Sequence, residues 1–233
     1  MTGIMEVAGS KTISARAGRG GPSAFARRAL RGMKARVWKR SELRVYGLDA
    51  ARIESLPNPG LMTRDSFEDL ECYEQTDRGQ FTRDELIGVA RGRAGLGHHL
   101  YTRVESGVLV HYGWLIDRQE RGEDAALGLV FFPPPRSAAL YDYFTHPSAR
   151  GRGLYRDALF QILHDARDLA RAEHAYIYVY DDNPASWRVV ERVGFRHEGS
   201  LVKERRLFSV KRYATGRIDA APLAAATPDA AAR

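Results

Sequence analysis

Residues 141–163 read YDYFTHPSARGRGLYRDALFQIL, and this stretch decides the fold. Leu140, Tyr141, Tyr143 and Phe144 are strand formers, and Pro147 ends the strand because proline cannot continue a ladder. After Gly153 apolar residues recur at Leu154, Ala158, Leu159, Ile162, Leu163, Ala166 and Leu169, the spacing of a helix with one buried stripe. Arg150, Gly151, Arg152 and Gly153 therefore sit at a helix N-terminus, where unpaired N–H groups and the positive end of the helix dipole face outward. Such an end attracts anions, glycines let a phosphate approach the backbone, and arginines add charge. A solvated glycine turn is the plainer reading of the same residues.

A second pattern follows. Residues 174–195, HAYIYVYDDNPASWRVVERVGF, read as a strand, an Asn-Pro helix start and a helix closed by Gly194. Tyr176, Tyr178 and Tyr180 share one strand face; Ile177 and Val179 share the other, which suits packing against the helix after the loop. In such a stripe tyrosines serve either as core or as proton donors.

The loop RGRGLY, Arg150–Tyr155, resembles the Arg/Gln-x-x-Gly-x-Gly/Ala loop of the GCN5-related N-acetyltransferase (GNAT) family, which cradles the pyrophosphate of coenzyme A. The preceding Thr145-His146-Pro147 matches the family's V-x-P-like turn, and the strand, Asn183 and the helix ending Gly194-Phe195 follow in the family's order. The resemblance spans roughly residues 42–210. It implies an α/β fold, a mixed central sheet with helices on both faces, and acetyl-CoA as acyl donor to a primary amine. It assigns the donor to Phe144, Thr145, Arg150, Gly151, Arg152, Gly153, Leu154, Tyr155, Asn183 and Ser186. Tyr155 departs from the small residue usual there, so it must turn from the donor or cover it. Val190 stands where many members carry the tyrosine that protonates the leaving thiolate.

An amine must lose a proton before it attacks a thioester, and the thiolate must gain one. On the central strand Asp142 and Tyr143 are the candidate bases. Ser186, Tyr178 and Tyr180 are the candidate acids, and backbone N–H groups near Phe144 and Thr145 would polarise the carbonyl. Residues 131–135 (FFPPP), with YDYFTHP and RGRGLY, are similar to a subgroup associated with bacterial polysaccharide biosynthesis, and the expected acceptor is a small amine, such as an amino sugar or sugar nucleotide. A protein N-terminus or lysine is the alternative acceptor, and a CoA-binding regulator without turnover is the alternative role.

The net charge of +7 over 233 residues is unevenly placed. Residues 1–40 hold ten Lys and Arg against Glu6, leaving 26 basic and 28 acidic residues elsewhere, so a nucleic-acid role for the domain loses its main support. No run of eighteen apolar residues predicts a membrane span. Cys72 alone rules out an internal disulfide, is expected as a buried thiol in a helix, and with scattered histidines suggests no metal site. The organisation expected is a basic extension over 1–40, a domain over 41–213 and a mobile Ala/Pro-rich tail over 214–233. Phe25, Ala29, Leu30, Met33 and Val37 recur at helical spacing in the extension, which reads as a peripheral membrane or partner contact, a transit peptide or a poorly ordered arm. A cytoplasmic monomer or homodimer fits the rest.

Of the other elements, Glu42–Leu48 reads as a first strand and Asp65 onward as a helix presenting Phe67, Leu70 and Tyr73. Thr82 with Glu85 forms a capping-box pattern for a helix over 83–91 ended by Gly92, Gly95 and Gly97. Residues 99–105 and 108–116 flank Ser106-Gly107 as a hairpin. Between 117 and 137 an extra edge strand or flap is expected, stopped by Pro133–Pro135.

Overall fold

The computed structural model describes residues 38–223. Eleven strands and three α-helices follow in the order β1 (Trp38–Asp49), β2 (Thr63–Arg64), α1 (Arg83–Gly95), β3 (His99–Glu105), β4 (Val108–Ile116), β5 (Gly122–Asp124), β6 (Leu129–Phe132), β7 (Ser137–Thr145), α2 (Leu154–Asp168), β8 (His174–Tyr180), α3 (Pro184–Val193), β9 (Arg196–Arg206), β10 (Ser209–Gly216) and β11 (Asp219–Pro222). The main sheet runs β10-β9-β1-β8-β7-β4-β3-β2, and β11-β6-β5 form a second, smaller sheet. Only β7 and β8 pair in parallel, over Ser137–Leu140 against His174–Ile177. The mixed sheet, with helices on both faces, is the fold expected.

Alternation along the strands divides the core into two sides. Leu140 of β7 and Ile177 and Val179 of β8 meet Ala158, Leu159, Ile162 and Leu163 of α2 and Val190 and Val193 of α3. On the opposite face Tyr112, Trp114, Ala139, Tyr141 and Phe144 pack against Leu86 and Ala90 of α1 and against Leu70 and Tyr73. Further along that face Leu43, Val45, Tyr176 and Leu201 lie under Leu127, Leu129 and Phe131 of the small sheet.

Several expectations need correction. Phe67 and Leu70 belong to a 3₁₀ helix, Phe67–Cys72, rather than an α-helix, and Tyr73 caps its C-terminus; their strict three-residue spacing is the period of that tighter helix. Cys72 in it is half-buried, not enclosed. The capping box at Thr82 and Glu85 forms, but α1 passes through Gly92 and stops at Gly95, where Gly97 at φ 81° takes the left-handed turn. The segment after Asp117 is the β5–β6 hairpin, not an edge strand of the main sheet. It is completed by β11, which lies inside the expected tail: Asp219–Pro222 pairs with Phe132–Leu129. The apolar edge of β6 makes this Ala-rich segment a strand, so the folded unit continues to Leu223 and not to 213. The helical pattern over 25–37 and the tail from 224 lie outside the described residues.

Candidate active site

The site begins where β7 leaves β8. Their ladder ends at Leu140 opposite Ile177, and just beyond it Asp142 and Tyr143 together oppose Gly113 of β4 in a β-bulge. Asp142 takes φ 50° there, a conformation that non-glycine residues adopt mainly where a bulge or turn imposes it. Gly113 is required, because a Cβ on it would sit 2.2 Å from Tyr143 Cε1. The bulge bends β7 away, and its β8-facing backbone groups from Asp142 to Thr145 have no strand partner on that side. A cleft of about 1020 Å³ occupies the gap and opens on both faces of the sheet.

On the α2 side the cleft is lined by Tyr143, Thr145, Arg150, Gly151, Gly153, Leu154, Tyr155, Arg156, Asn183, Ser186, Val189 and Arg192. Gly151 and Gly153 adopt φ 77° and 84°, which explains both glycines. α1 and α3 have side-chain N-caps, Thr82 and Asn183, whereas Gly153 gives α2 none. The first amides of α2 are thus left for another acceptor, and Arg150, Arg156 and Arg192 stand around them. Arg152 is not part of this set. Its guanidinium grips both oxygens of Glu105 at 2.8 and 3.2 Å, and those bonds hold the Glu105 carboxyl below its ordinary range. Sequence reading missed Arg156 and Arg192; Arg156 is visible in retrospect as a cation on the first turn of the helix that follows the glycines.

Beneath the loop three rings cluster. Tyr143 and Tyr155 centroids lie 4.9 Å apart, and His111 lies 6.0 and 6.1 Å from them. The Tyr155 hydroxyl pairs with Ser186 Oγ at 2.9 Å, so this tyrosine bridges α2 to α3. Burial pushes the Tyr143 and Tyr155 phenols above their ordinary pKa. Burial keeps the Tyr143 phenol protonated, which does not suit it as a base, and its hydroxyl has no hydrogen-bond partner among the described residues. His111 Nδ1 lies 2.8 Å from Thr145 Oγ1, and burial lowers its pKa to about 3.

On the opposite face the cleft is walled by Tyr73, Phe81, Tyr112 and Phe144, with Gln80, Glu85 and Asp142 as its polar groups. The turn that carries Gln80 is tied by its own side chain, whose Oε1 accepts from Thr76 N and Asp77 N at 3.0 and 3.2 Å. Asp142 faces this half but is held by Arg93 Nη1 at 2.5 Å. Arg93 in turn lies over Trp114 and Tyr141 at 5.0 and 4.9 Å. Gln80 and the aromatic wall left no motif in the sequence; Phe81, just before the Thr82 cap, was the one local hint.

Two sequence candidates lie elsewhere. Tyr178 and Tyr180 point under the small sheet, where their hydroxyls donate to Gln119 at 2.5 Å and to Asp124. Neither lines the cleft, so both leave the list of candidate acids. Asn183 lines it, but its Oδ1 already accepts Ser186 N at 3.2 Å as the cap of α3. Val190 is fully buried in the core. The position of α3 that faces the cleft is Val189, so the tyrosine missing at 190 leaves no gap in the wall.

Residues 79–196 match the family model of the acetyltransferase (GNAT) domain. The chain belongs to the GNAT acetyltransferase family. A GNAT-family acetyltransferase from Colwellia psychrerythraea superposes with a TM-score of 0.50 at 15% identity, over 71% of this chain and 55% of that one. A tandem GNAT protein from the clavulanic acid biosynthesis pathway does so with a TM-score of 0.50 at 17% identity, over 86% and 62%. A GNAT-family protein from Novosphingobium aromaticivorans gives 0.47 at 19% identity, over 70% and 63%. The chain thus spans less than two thirds of each of these solved chains, and at such identities the likeness concerns the fold. No curated protein matches the chain.

Proposed function

We propose that the protein transfers an acetyl group from acetyl-CoA to the primary amine of a small molecule by direct attack, with no covalent enzyme intermediate. The observation that carries this reading is the uncapped N-terminus of α2, ringed by Arg150, Arg156 and Arg192 at one end of a cleft that runs through the sheet. The pyrophosphate of the donor would meet the α2 amides and Gly151 and Gly153, and its pantetheine arm would run between β7 and α3, past Asn183 and Ser186. The thioester would then stand in the gap at the bulge, where the amides from Asp142 to Thr145 that lack a strand partner can bind the developing oxyanion.

The acceptor enters from the other face. Tyr73, Phe81, Tyr112 and Phe144 give this half an aromatic wall against the C–H surface of a sugar ring, and Asp142 offers an anionic oxygen to its ammonium. An amino sugar or sugar nucleotide satisfies both features. The amine gives up its proton to solvent in the acceptor half, and its lone pair adds to the carbonyl carbon. As the carbon–sulfur bond breaks, the attacking nitrogen gives up its second proton to solvent and the departing thiolate takes one up from solvent, while the Ser186 hydroxyl, oriented by Tyr155, donates a hydrogen bond to the sulfur. Alignment of amine and thioester across the gap supplies much of the rate.

Calorimetric titration of acetyl-CoA into the full chain, beside a Gly153→Glu variant, tests the reading. Binding that the variant loses, followed by thiol release on addition of amino sugars, is the expected result. Glutamate at 153 would meet φ 84° and place a carboxylate where the phosphate sits. Absence of binding by the parent chain refutes the proposal; binding without thiol release from any amine would instead make the protein a sensor of acyl-CoA.

A further inference from the structure

At one end of β1, β9 and β10 the sheet carries an exposed apolar tip. Leu207 and Phe208 form the turn between β9 and β10 and are 64% and 98% exposed. Trp38, opposite Arg206 in the register, is 51% exposed, and Val210 44%. Exposed edge strands ordinarily carry charge to prevent pairing with another chain. Here the charge is present, but the tip above it is apolar, which defeats that purpose.

Cations outnumber acids around the tip. Lys39, Arg40, Arg205, Arg206 and Lys211 are all exposed around the tip, and Lys39 and Arg205 face each other across β1 and β9. The acids among them are engaged: Glu42 pairs with Arg40 at 2.8 Å, while Glu204 pairs with Arg206 at 3.6 Å and accepts from Tyr213 at 2.9 Å. Two large apolar residues projecting from a collar of cations, with Trp38 at the boundary between them, match the layers of an anionic bilayer surface. A second copy of this chain would bring like charges together, and nucleic acid would not reward a leucine and phenylalanine in solvent. No helix among the described residues is long and apolar enough to cross a membrane, so the contact is peripheral.

We infer that the β9–β10 tip docks the protein on anionic lipid bilayers. The docking also sets orientation. Leu43 pairs with Tyr180, the last residue of β8, and Trp38 lies further along in the same direction, so the tip and the glycine loop after β7 share one end of the sheet. A docked molecule therefore holds the end of the sheet that carries the glycine loop toward the bilayer. This inference is independent of the acetyl-transfer reading, since it rests on residues outside the cleft.

Co-sedimentation of the full chain with vesicles of phosphatidylcholine, alone or mixed with phosphatidylglycerol, tests it. Binding to the mixed vesicles only, weakened roughly tenfold or more in a Leu207→Asp, Phe208→Asp double variant, is expected from loss of two inserted side chains. A Lys39→Glu, Arg205→Glu variant should lose roughly fivefold for each charge, with the effect fading at high salt. All four positions are exposed, and unchanged melting temperatures confirm that both variants fold. No binding by the parent chain overturns the inference. So does binding that the tip variants retain, which would place the contact in another basic segment, and so does a dimer that the double variant abolishes.

Discussion

His111 makes acid a specific solvent for this fold. It is fully buried between β4 and the two tyrosine rings, Nδ1 shares a hydrogen bond with Thr145, and Nε2 has no partner, so a second ring proton would have nowhere to go. Burial lowers its pKa from 6.5 to about 3. A depressed folded value means that the unfolded chain binds the proton first: stability is full above 6.5, falls as pH drops from there, and levels off near the folded value. At pH 5 the loss from this residue is about 2 kcal/mol, from 1.36 kcal/mol per unit over the 1.5 units below 6.5. His98, lowered to about 4 by burial, Arg93 and His99, adds about 2 kcal/mol by the same arithmetic. The pair thus removes about 4 kcal/mol from a stability that is typically 5–15 kcal/mol. His99 works the other way. Burial pulls its pKa down, but Asp65 and Asp117 outweigh that and raise it, so it adds stability as pH falls. Comparison with a His111→Gln variant isolates the one residue. Urea midpoints at pH 7 and pH 5 should show the parent losing about 2 kcal/mol more than the variant between the two pH values. Equal losses would refute the assignment of a neutral, proton-refusing imidazole at 111.

Other substitutions probe the cleft and its supports. Gly113→Ala forces the Tyr143 ring to move from a contact of 2.2 Å, and a loss of about 1–3 kcal/mol in thermal denaturation is expected from overpacking. Ser186→Ala and Tyr155→Phe should each lower kcat roughly tenfold or more with little change in acetyl-CoA affinity, as read by thiol release against calorimetry. Arg93→Met leaves the Asp142 carboxylate without its cation, and a stability loss of about 3 kcal/mol at neutral pH is expected in urea titrations. Thr82→Ala removes the α1 capping box and should cost about 1 kcal/mol in the same assay without affecting acetyl-CoA binding.

What could be read from sequence was what local chemistry determines. The strand–loop–helix at Tyr141–Leu163, the Thr82 and Asn183 caps, the Ser106-Gly107 hairpin and the left-handed Gly151, Gly153 and Gly194 each depend on a few adjacent residues. The bulge at Asp142 and Tyr143 was not legible, because it depends on a glycine thirty residues away on β4. Tyr178 and Tyr180 looked reactive because nothing in their own strand announces that Gln119 and Asp124 will close over them. For the same reason Arg152 was taken as a phosphate ligand: its partner, Glu105, is distant in sequence. β11 carries almost no strand signal of its own, and becomes a strand only against the exposed edge of β6.

The gap between β7 and β8 has a consequence for the order of events. Under the proposed chemistry donor and acceptor lie on opposite faces of one sheet and meet only at the bulge, so neither substrate has to leave or pass the other for its partner to bind. Initial-rate lines should then intersect when both concentrations are varied, in contrast to the parallel lines of a ping-pong enzyme. One molecule that threads the gap, with a CoA moiety joined to an amino sugar, would exclude both substrates at once and compete with each of them.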